Sequence, residues 1–114
     1  MEINGENYTI SYDPDTAVIN CKGSLRLYGA TGYAEIVELL NRAVDRGPEI
    51  LTLDIRELQF LNSSGINTLS KFVIRARNKK ISKMSVLGAS KHPWQMKSLK
   101  NLQRLMPNLN LDIA

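Results

Sequence analysis

Four consecutive residues, Asn62-Ser63-Ser64-Gly65, place two hydroxyl groups at the junction between a predicted strand and a predicted helix. Asn and Ser side chains at such a junction accept hydrogen bonds from the free N–H groups of the first helical turn. A helix N-terminus carries partial positive charge, so it also tolerates a phosphate on a nearby serine. A phosphoserine would add roughly −1.5 to −2 charges to a surface that partners can reach. The motif therefore predicts a helix cap and a phosphorylation site.

Residues that commonly carry catalysis are scarce. Cys21 and His92 are the only cysteine and the only histidine of the chain. Cys21 belongs to a predicted strand, where a packed core thiol is expected, and His92 directly precedes Pro93, which is typical of a helix start. The nucleophile elbow, the P-loop and the dinucleotide-binding glycine motif are absent. We therefore expect no enzyme, no catalytic residue, no metal and no cofactor.

The elements that position Asn62–Gly65 follow from the hydrophobic pattern. The pattern predicts strands over residues 8–12, 16–21, 50–55, 84–88 and 109–113. It predicts helices over residues 32–46, after Gly65 to about residue 80, and from about 93 to 106. Alternating strands and helices predict an α/β fold, with a mixed sheet of four to five strands, an initial antiparallel hairpin and about three helices. The predicted core contains Leu51, Leu53, Leu69, Val73, Val86 and Leu99. The length of 114 residues predicts a single domain over residues 1–114.

The net charge of +4 is unevenly distributed. Residues 1–57 contain 5 Lys and Arg against 10 Asp and Glu, whereas residues 58–114 contain 10 against 1. If the two halves occupy different faces, the basic half favours acidic or phosphate-bearing partners; otherwise its cations are solvated helix surface. The aromatic content of 6% and the absence of an RNA-binding strand motif or a helix-turn-helix argue against a nucleic-acid partner.

The expected partner-binding surface is the loop at Asn62–Gly65 together with the exposed side of the predicted second helix. This side of the helix contains Asn67, Lys71, Ile74 and Arg75. Ile74 is predicted to be exposed among polar neighbours, which is typical of an interface centre, although isolated surface isoleucines are also common. No apolar run approaches the ~20 residues that span a bilayer, and the acidic N-terminus is unlike a signal peptide. A cytoplasmic location without a transmembrane segment is therefore expected.

Leu51-Thr52-Leu53-Asp54-Ile55, followed by Phe60-Leu61-Asn62-Ser63-Ser64-Gly65-Ile66 and by Leu69, resembles the STAS domain family, in particular the bacterial anti-sigma factor antagonists. The resemblance covers the whole chain and implies a STAS-like fold. It also implies a phosphoprotein that acts in signal transduction and transcription regulation by partner switching. In such pathways a serine kinase that is also an anti-sigma factor phosphorylates the antagonist, and a phosphatase reverses the reaction.

The resemblance assigns roles to individual residues of the motif. Ser63 corresponds to the phosphoacceptor and Gly65 to the motif glycine, with Ser64 between these two residues. Asp54 corresponds to the aspartate of the preceding strand. Asn62 stands where the family has Asp, so one negative charge is absent. The alternative function is therefore a constitutive STAS-type binding subunit without phosphorylation, such as a cytoplasmic accessory of a lipid-transport ABC complex. The sequence leaves the oligomeric state open.

Overall fold

The computed structural model describes residues 1–114. All strands of the chain belong to one sheet. The strands are β1 (Glu2–Asn4), β2 (Tyr8–Asp13), β3 (Val18–Leu25), β4 (Ile50–Leu61), β5 (Lys83–Gly88) and β6 (Asn110–Ile113). The helices are α1 (Gly29–Gly32), α2 (Ala34–Asp45), α3 (Ser63–Asn78) and α4 (Pro93–Leu105). The order of strands in the sheet is the order in the chain, β1-β2-β3-β4-β5-β6.

The first three strands pair antiparallel, and β3 to β6 pair parallel. Each parallel pair is joined through one of the long helices. Crossovers between parallel strands are right-handed, and here each one leads to the next strand on the same side, so all three helices lie on the same face of the sheet. There α3 packs between α2 and α4. The predicted mixed α/β sheet with an initial antiparallel hairpin is confirmed. The fold has six strands and four helices, which is more than the sequence predicts. The short β1 and α1 were not predicted because they carry too few apolar residues to give a periodic signal.

The core lies between the sheet and the three helices. All six residues predicted for it are buried, namely Leu51, Leu53, Leu69, Val73, Val86 and Leu99. In β4, the fully buried Leu51, Leu53 and Ile55 alternate with the half-buried Thr52 and Asp54. Because successive strand residues point to opposite faces, Asp54 lies on the sheet face that carries no helix.

Strand β4 is longer than the sequence predicts, since it continues beyond Ile55 to Leu61. Its pairing with β5 ends at Asp54, whereas its pairing with β3 continues to Leu61. Side chains at the start of α4 bind the carbonyl groups that β5 leaves free. Gln95 Nε2 donates to Ile55 O (2.8 Å) and Leu58 O (3.0 Å), and Trp94 Nε1 donates to Gln59 O (3.0 Å). These contacts stabilise the last part of β4, which leads directly into the Asn62–Gly65 motif.

The sequential strand order also separates the charges. Residues 1–57 supply α2, the strands β1 to β3 and the first part of β4, whereas residues 58–114 supply α3, β5, α4 and β6. The acidic and basic halves therefore lie toward opposite edges of the sheet. Ion pairs bridge them where they meet, as between Asp45 and Arg75 (2.8 Å) and between Glu57 and Lys91 (3.4 Å).

Candidate functional site

Asn62 caps helix α3. Its backbone is extended (φ −80°, ψ 177°), and its side-chain Oδ1 accepts a hydrogen bond from the backbone N–H of Gly65 at 3.0 Å. Its carbonyl oxygen accepts the first intrahelical bond, from the N–H of Ile66 at 2.9 Å. An extended Asn that satisfies a first-turn donor is a favourable N-cap, so the predicted cap is present and Asn62 supplies it.

The same carboxamide ties α3 to the connection between β3 and α2. Asn62 Nδ2 donates to the carbonyl oxygen of Leu27 at 2.6 Å, and the hydroxyl of Tyr33 donates to Asn62 Oδ1 at 2.6 Å. Tyr33 is buried, and this burial raises the pKa of its phenol. Asn62 therefore uses both ends of its amide, and an Asp could not donate to Leu27 in its ionised form.

Gly65 allows this close arrangement. A Cβ atom at residue 65 would overlap the side chain of Leu61 and would lie 2.7 Å from the hydroxyl oxygen of Tyr33. The first turn of α3 can thus approach Tyr33 and Leu61 only because residue 65 has no side chain. The glycine of the motif therefore has a packing role.

The two serines of the motif have different environments. Ser63 is the first residue of α3, its side chain is exposed, and its hydroxyl makes no hydrogen bond within the chain. Ser64 is half-buried, and its Oγ accepts a hydrogen bond from the backbone N–H of Gly29 at 3.3 Å. Of the two hydroxyl groups, that of Ser63 is therefore the more accessible to another protein.

A trough runs beside the motif between α2 and α3, and we call it the α2–α3 trough. It consists of two adjoining depressions of about 420 and 220 Å³, and a third, of about 470 Å³, is lined by residues of α3 and its C-cap alone; Lys71 lines all three. The depression nearest the motif is bounded by Gly29, Ala30, Tyr33, Ala34, Val37, Ser64, Asn67, Thr68 and Lys71. The exposed residues Asn67 and Lys71, both predicted to contact partners, lie on its α3 side.

The other two residues predicted to contact partners are less available. The expectation that Ile74 is exposed is wrong: it is half-buried in the third depression, among the long side chains of Lys71, Arg75 and Lys79. Long basic side chains cover apolar neighbours with their methylene groups, which explains this burial. Arg75 forms a bidentate pair with Asp45 of α2, with Nη2 at 2.9 and 2.8 Å from the two carboxylate oxygens.

Asp54 does not join Ser63. It lies in the middle of β4 on the helix-free face of the sheet, where Arg56 contacts both of its carboxylate oxygens, Nε at 3.0 Å and Nη2 at 2.8 Å. These hydrogen bonds from Arg56 hold the pKa of Asp54 below its usual value. Of the motif neighbours predicted from the sequence, the structure therefore brings together Asn62, Ser64 and Gly65 around Ser63, and leaves Asp54 apart.

The remaining candidates for catalysis, Cys21 and His92, both contact the rest of the fold. Cys21 is buried, and burial raises the pKa of its thiol to about 12, so the reactive thiolate is not formed near neutral pH. His92 Nε2 lies 3.0 Å from the carbonyl oxygen of Arg56. The structure has no group of three His, Cys, Asp or Glu side chains arranged to hold a metal. None of its helices combines the length and the apolar character needed to cross a membrane.

Sequence reasoning missed Tyr33 and Leu27, which complete the site. Tyr33 lies 29 residues before Asn62 in the chain, in a segment predicted as the first turn of a helix. No local pattern marks such a residue, because its role depends on the pairing of β3 with β4. A buried tyrosine generally needs a hydrogen-bond partner, but the sequence does not indicate which one.

Comparison with solved structures identifies the fold, whereas no protein-family model and no curated protein sequence matches the chain. Apo-SiaC from Pseudomonas aeruginosa superposes with a TM-score of 0.74 at 15% identity, covering 99% of this chain and 96% of that one. SiaC in complex with the diguanylate cyclase SiaD, which it activates, gives 0.72 at 13% identity, with coverage of 100% and 99%.

An anti-sigma factor antagonist from Mycobacterium paratuberculosis also superposes on this chain. Its TM-score is 0.59 at 16% identity, and the match covers 96% of this chain and 82% of that one. At these identities the similarity concerns the fold. The STAS-like fold expected from the motif is therefore confirmed, and the chain shares it with SiaC and with an anti-sigma factor antagonist.

Proposed function

We propose that residues 1–114 form a single non-enzymatic regulatory domain that binds a protein partner and is controlled by phosphorylation of Ser63. The observation that carries this proposal is the exposed, unbonded hydroxyl of Ser63 at the start of α3, next to a Ser64 whose hydroxyl is already bonded. Asn67 and Lys71 extend the same surface along α3. A kinase would reach Ser63 without opening the fold.

A phosphate on Ser63 is compatible with the helix. The cap is supplied by Asn62, so modification of Ser63 leaves the cap bond to Gly65 in place. Negative charge at a helix N-terminus is favourable by about 0.3–1 kcal/mol. The phosphate therefore acts on the partner rather than on the fold, by charge repulsion and by desolvation at a surface that accepted a neutral hydroxyl.

The structural neighbours support a regulatory role with a protein partner. SiaC is described as the activator of the diguanylate cyclase SiaD, and the mycobacterial protein as an anti-sigma factor antagonist. A shared fold does not set the partner, since one fold hosts many functions. We propose a cytoplasmic partner-switching role in signal transduction, in which a serine kinase with anti-sigma activity and a phosphatase act on Ser63.

The second candidate function is a constitutive binding subunit, and the contacts of Asn62 favour it. Its amide donates to Leu27 O, a bond that the ionised family Asp cannot make. The replacement of Asp by Asn thus has a structural use that is independent of a kinase. In this alternative, which includes an accessory of a lipid-transport complex, the same surface binds its partner permanently and Ser63 stays unmodified.

Quantitative affinity purification from the native cells tests the proposal. Tagged wild-type chain, Ser63→Ala and Ser63→Asp are compared with Ser82→Asp, which adds the same charge at another exposed serine. We expect one protein to be enriched equally by wild type and Ser82→Asp and at least as strongly by Ser63→Ala. Enrichment by Ser63→Asp should be at least tenfold lower than by Ser63→Ala. Equal enrichment by all four would reject the switch and leave the constitutive subunit. No specific enrichment by the wild-type chain would reject the binding role.

A further inference from the structure

We propose that the α2–α3 trough binds an amphipathic helix of the partner, with apolar side chains on one face and carboxylates beside them. This inference rests on the proposed function, since it specifies the chemistry of the partner segment that the surface beside Ser63 would take. The shape of the trough, its apolar floor and its unbalanced charge each point to this occupant.

The trough is elongated rather than round. Its lining residues on α3 run from Ser64 at one end to Arg75 at the other, a rise of about 16 Å at 1.5 Å per residue. A compact small molecule would fill only one of the two depressions. A partner helix of about 11 residues has the length of the whole trough, and docking into a groove is a common way in which amphipathic helices bind.

The floor of the trough is apolar and is bounded by small residues. Gly29, Ala30 and Ala34 line the depression nearest the motif, so the wall on the α1 and α2 side is low. Val37 lies at the boundary with the second depression, which Leu40 and Phe72 also line. The first depression, of about 420 Å³, has room for one large apolar anchor, and such anchors in pockets carry most of the binding free energy of interfaces.

The charges of the trough are all positive. No Asp or Glu lines either depression of the trough, whereas Lys71 and Arg75 do. Arg75 and Lys79 share the carboxylate of Asp45, but Lys71 has no carboxylate partner. A helix that buries apolar side chains here therefore meets an unneutralised ammonium group at the middle of the trough, which favours carboxylates and disfavours basic segments.

An acidic occupant also explains how Ser63 would control binding. Ser64 lines the trough, and Ser63 precedes it at the same end of α3. A phosphate on Ser63 would bring about −1.5 to −2 charges to the mouth of the trough. It would repel an acidic helix, whereas it would attract a basic one. The sign of the switch and the charge of the partner segment are thus linked.

The test is a selection of 16-residue peptides from a random display library on the wild-type chain, followed by affinity measurements by fluorescence anisotropy. Three variants probe the trough: Ala34→Trp fills it from an exposed position, Lys71→Glu reverses its central charge, and Ser63→Asp mimics phosphate. Two matched controls, Glu35→Trp and Lys83→Glu, change exposed residues outside it. We expect enriched peptides to be acidic, with apolar residues at helical spacing.

For these peptides, each trough variant should lower the affinity about tenfold or more, and each control less than twofold. Enrichment of neutral or basic peptides, insensitivity to Ala34→Trp and Lys71→Glu, or no enrichment at all would overturn the inference. The same panel is then applied to the partner purified from the native cells. Loss of that partner with Ser63→Asp but not with Ala34→Trp would leave the proposed function standing and reject this inference, whereas insensitivity to all three variants would reject both.

Discussion

Tyr33 and Asn62 lie 29 residues apart in the chain and share a hydrogen bond of 2.6 Å from the phenol to the amide oxygen. The bond joins the start of α2 to the start of α3. Asn62 also accepts from Gly65 N and donates to Leu27 O, so one side chain holds three segments together. The exposed Ser63 is thereby displayed on a fixed helix end.

Asn62→Asp should destabilise the protein. It would place a carboxylate oxygen against the carbonyl oxygen of Leu27, which now accepts from Nδ2 at 2.6 Å. We expect a loss of about 1–3 kcal/mol in the free energy of unfolding at pH 7, measured by urea denaturation. Asn67→Asp adds the same charge at an exposed residue of α3 and is the control. Equal stability of the two variants would show that the Leu27 bond is dispensable.

Asn62→Asp should also change the pH dependence of stability. A protonated carboxyl group can again donate to Leu27, so folding raises the pKa of the introduced Asp. The deficit is then largest above this raised pKa and becomes smaller as the pH falls through it. Urea denaturation between pH 7 and pH 4 measures it. A deficit that stays constant over this range would contradict the proposed contact.

Tyr33→Phe should cost about 0.5–1.5 kcal/mol in the free energy of unfolding, because it removes one hydrogen bond but leaves Asn62 Oδ1 bonded to Gly65. Tyr28→Phe is the matched control, since Tyr28 is 83% exposed and should change stability little. Thermal and urea denaturation of both variants give the comparison. If Tyr28→Phe cost as much as Tyr33→Phe, the loss would not come from the bond to Asn62.

Gly65→Ala should destabilise by roughly 1–3 kcal/mol, because the added methyl group overlaps Leu61 and crowds Tyr33. Ser63→Ala, two residues earlier, removes an exposed and unbonded hydroxyl and should change stability by less than about 0.5 kcal/mol. Urea denaturation of the two variants tests the packing role of the glycine. A stabilised Gly65→Ala, as expected for a glycine in an unconstrained helix, would contradict it.

The pair of Asp54 and Arg56 should contribute to acid sensitivity. Arg56 holds the pKa of Asp54 below its unfolded value of about 3.9, so the pair stabilises the fold above that value. This contribution is lost as the pH falls through the lowered pKa. Asp54→Asn should therefore show a shallower decline of the free energy of unfolding below about pH 4. Asp15→Asn, in an exposed turn, is the control, and identical declines for both variants would contradict the assignment.

Local patterns predict most of the fold because each long element has a clear apolar periodicity. The predicted core residues Leu51, Leu53 and Val73 are all buried, and His92 and Pro93 do begin α4. The extension of β4 to Leu61 was missed because its free carbonyl groups are bound by Gln95 and other side chains of α4, far along the chain.

The candidate site was predictable only in part, for the same reason. The cap and the accessible serine follow from four adjacent residues, so Asn62 and Ser63 were found. The contacts of Tyr33 and the half-burial of Ile74 depend on neighbours that the fold supplies. The position of Asp54 on the other face follows from strand alternation within residues 50–55, where Leu51, Leu53 and Ile55 are the buried residues.

Phosphosite mapping of the protein isolated from its native cells is the decisive test of control through Ser63. Intact-mass analysis followed by peptide mass mapping measures how much phosphate each serine carries. We expect a singly phosphorylated fraction with the phosphate on Ser63, whose hydroxyl is exposed and unbonded, and none on Ser64, whose hydroxyl is bonded to Gly29. Phosphate on Ser64 alone, or no phosphorylated fraction under any growth condition, would contradict control of this surface through Ser63.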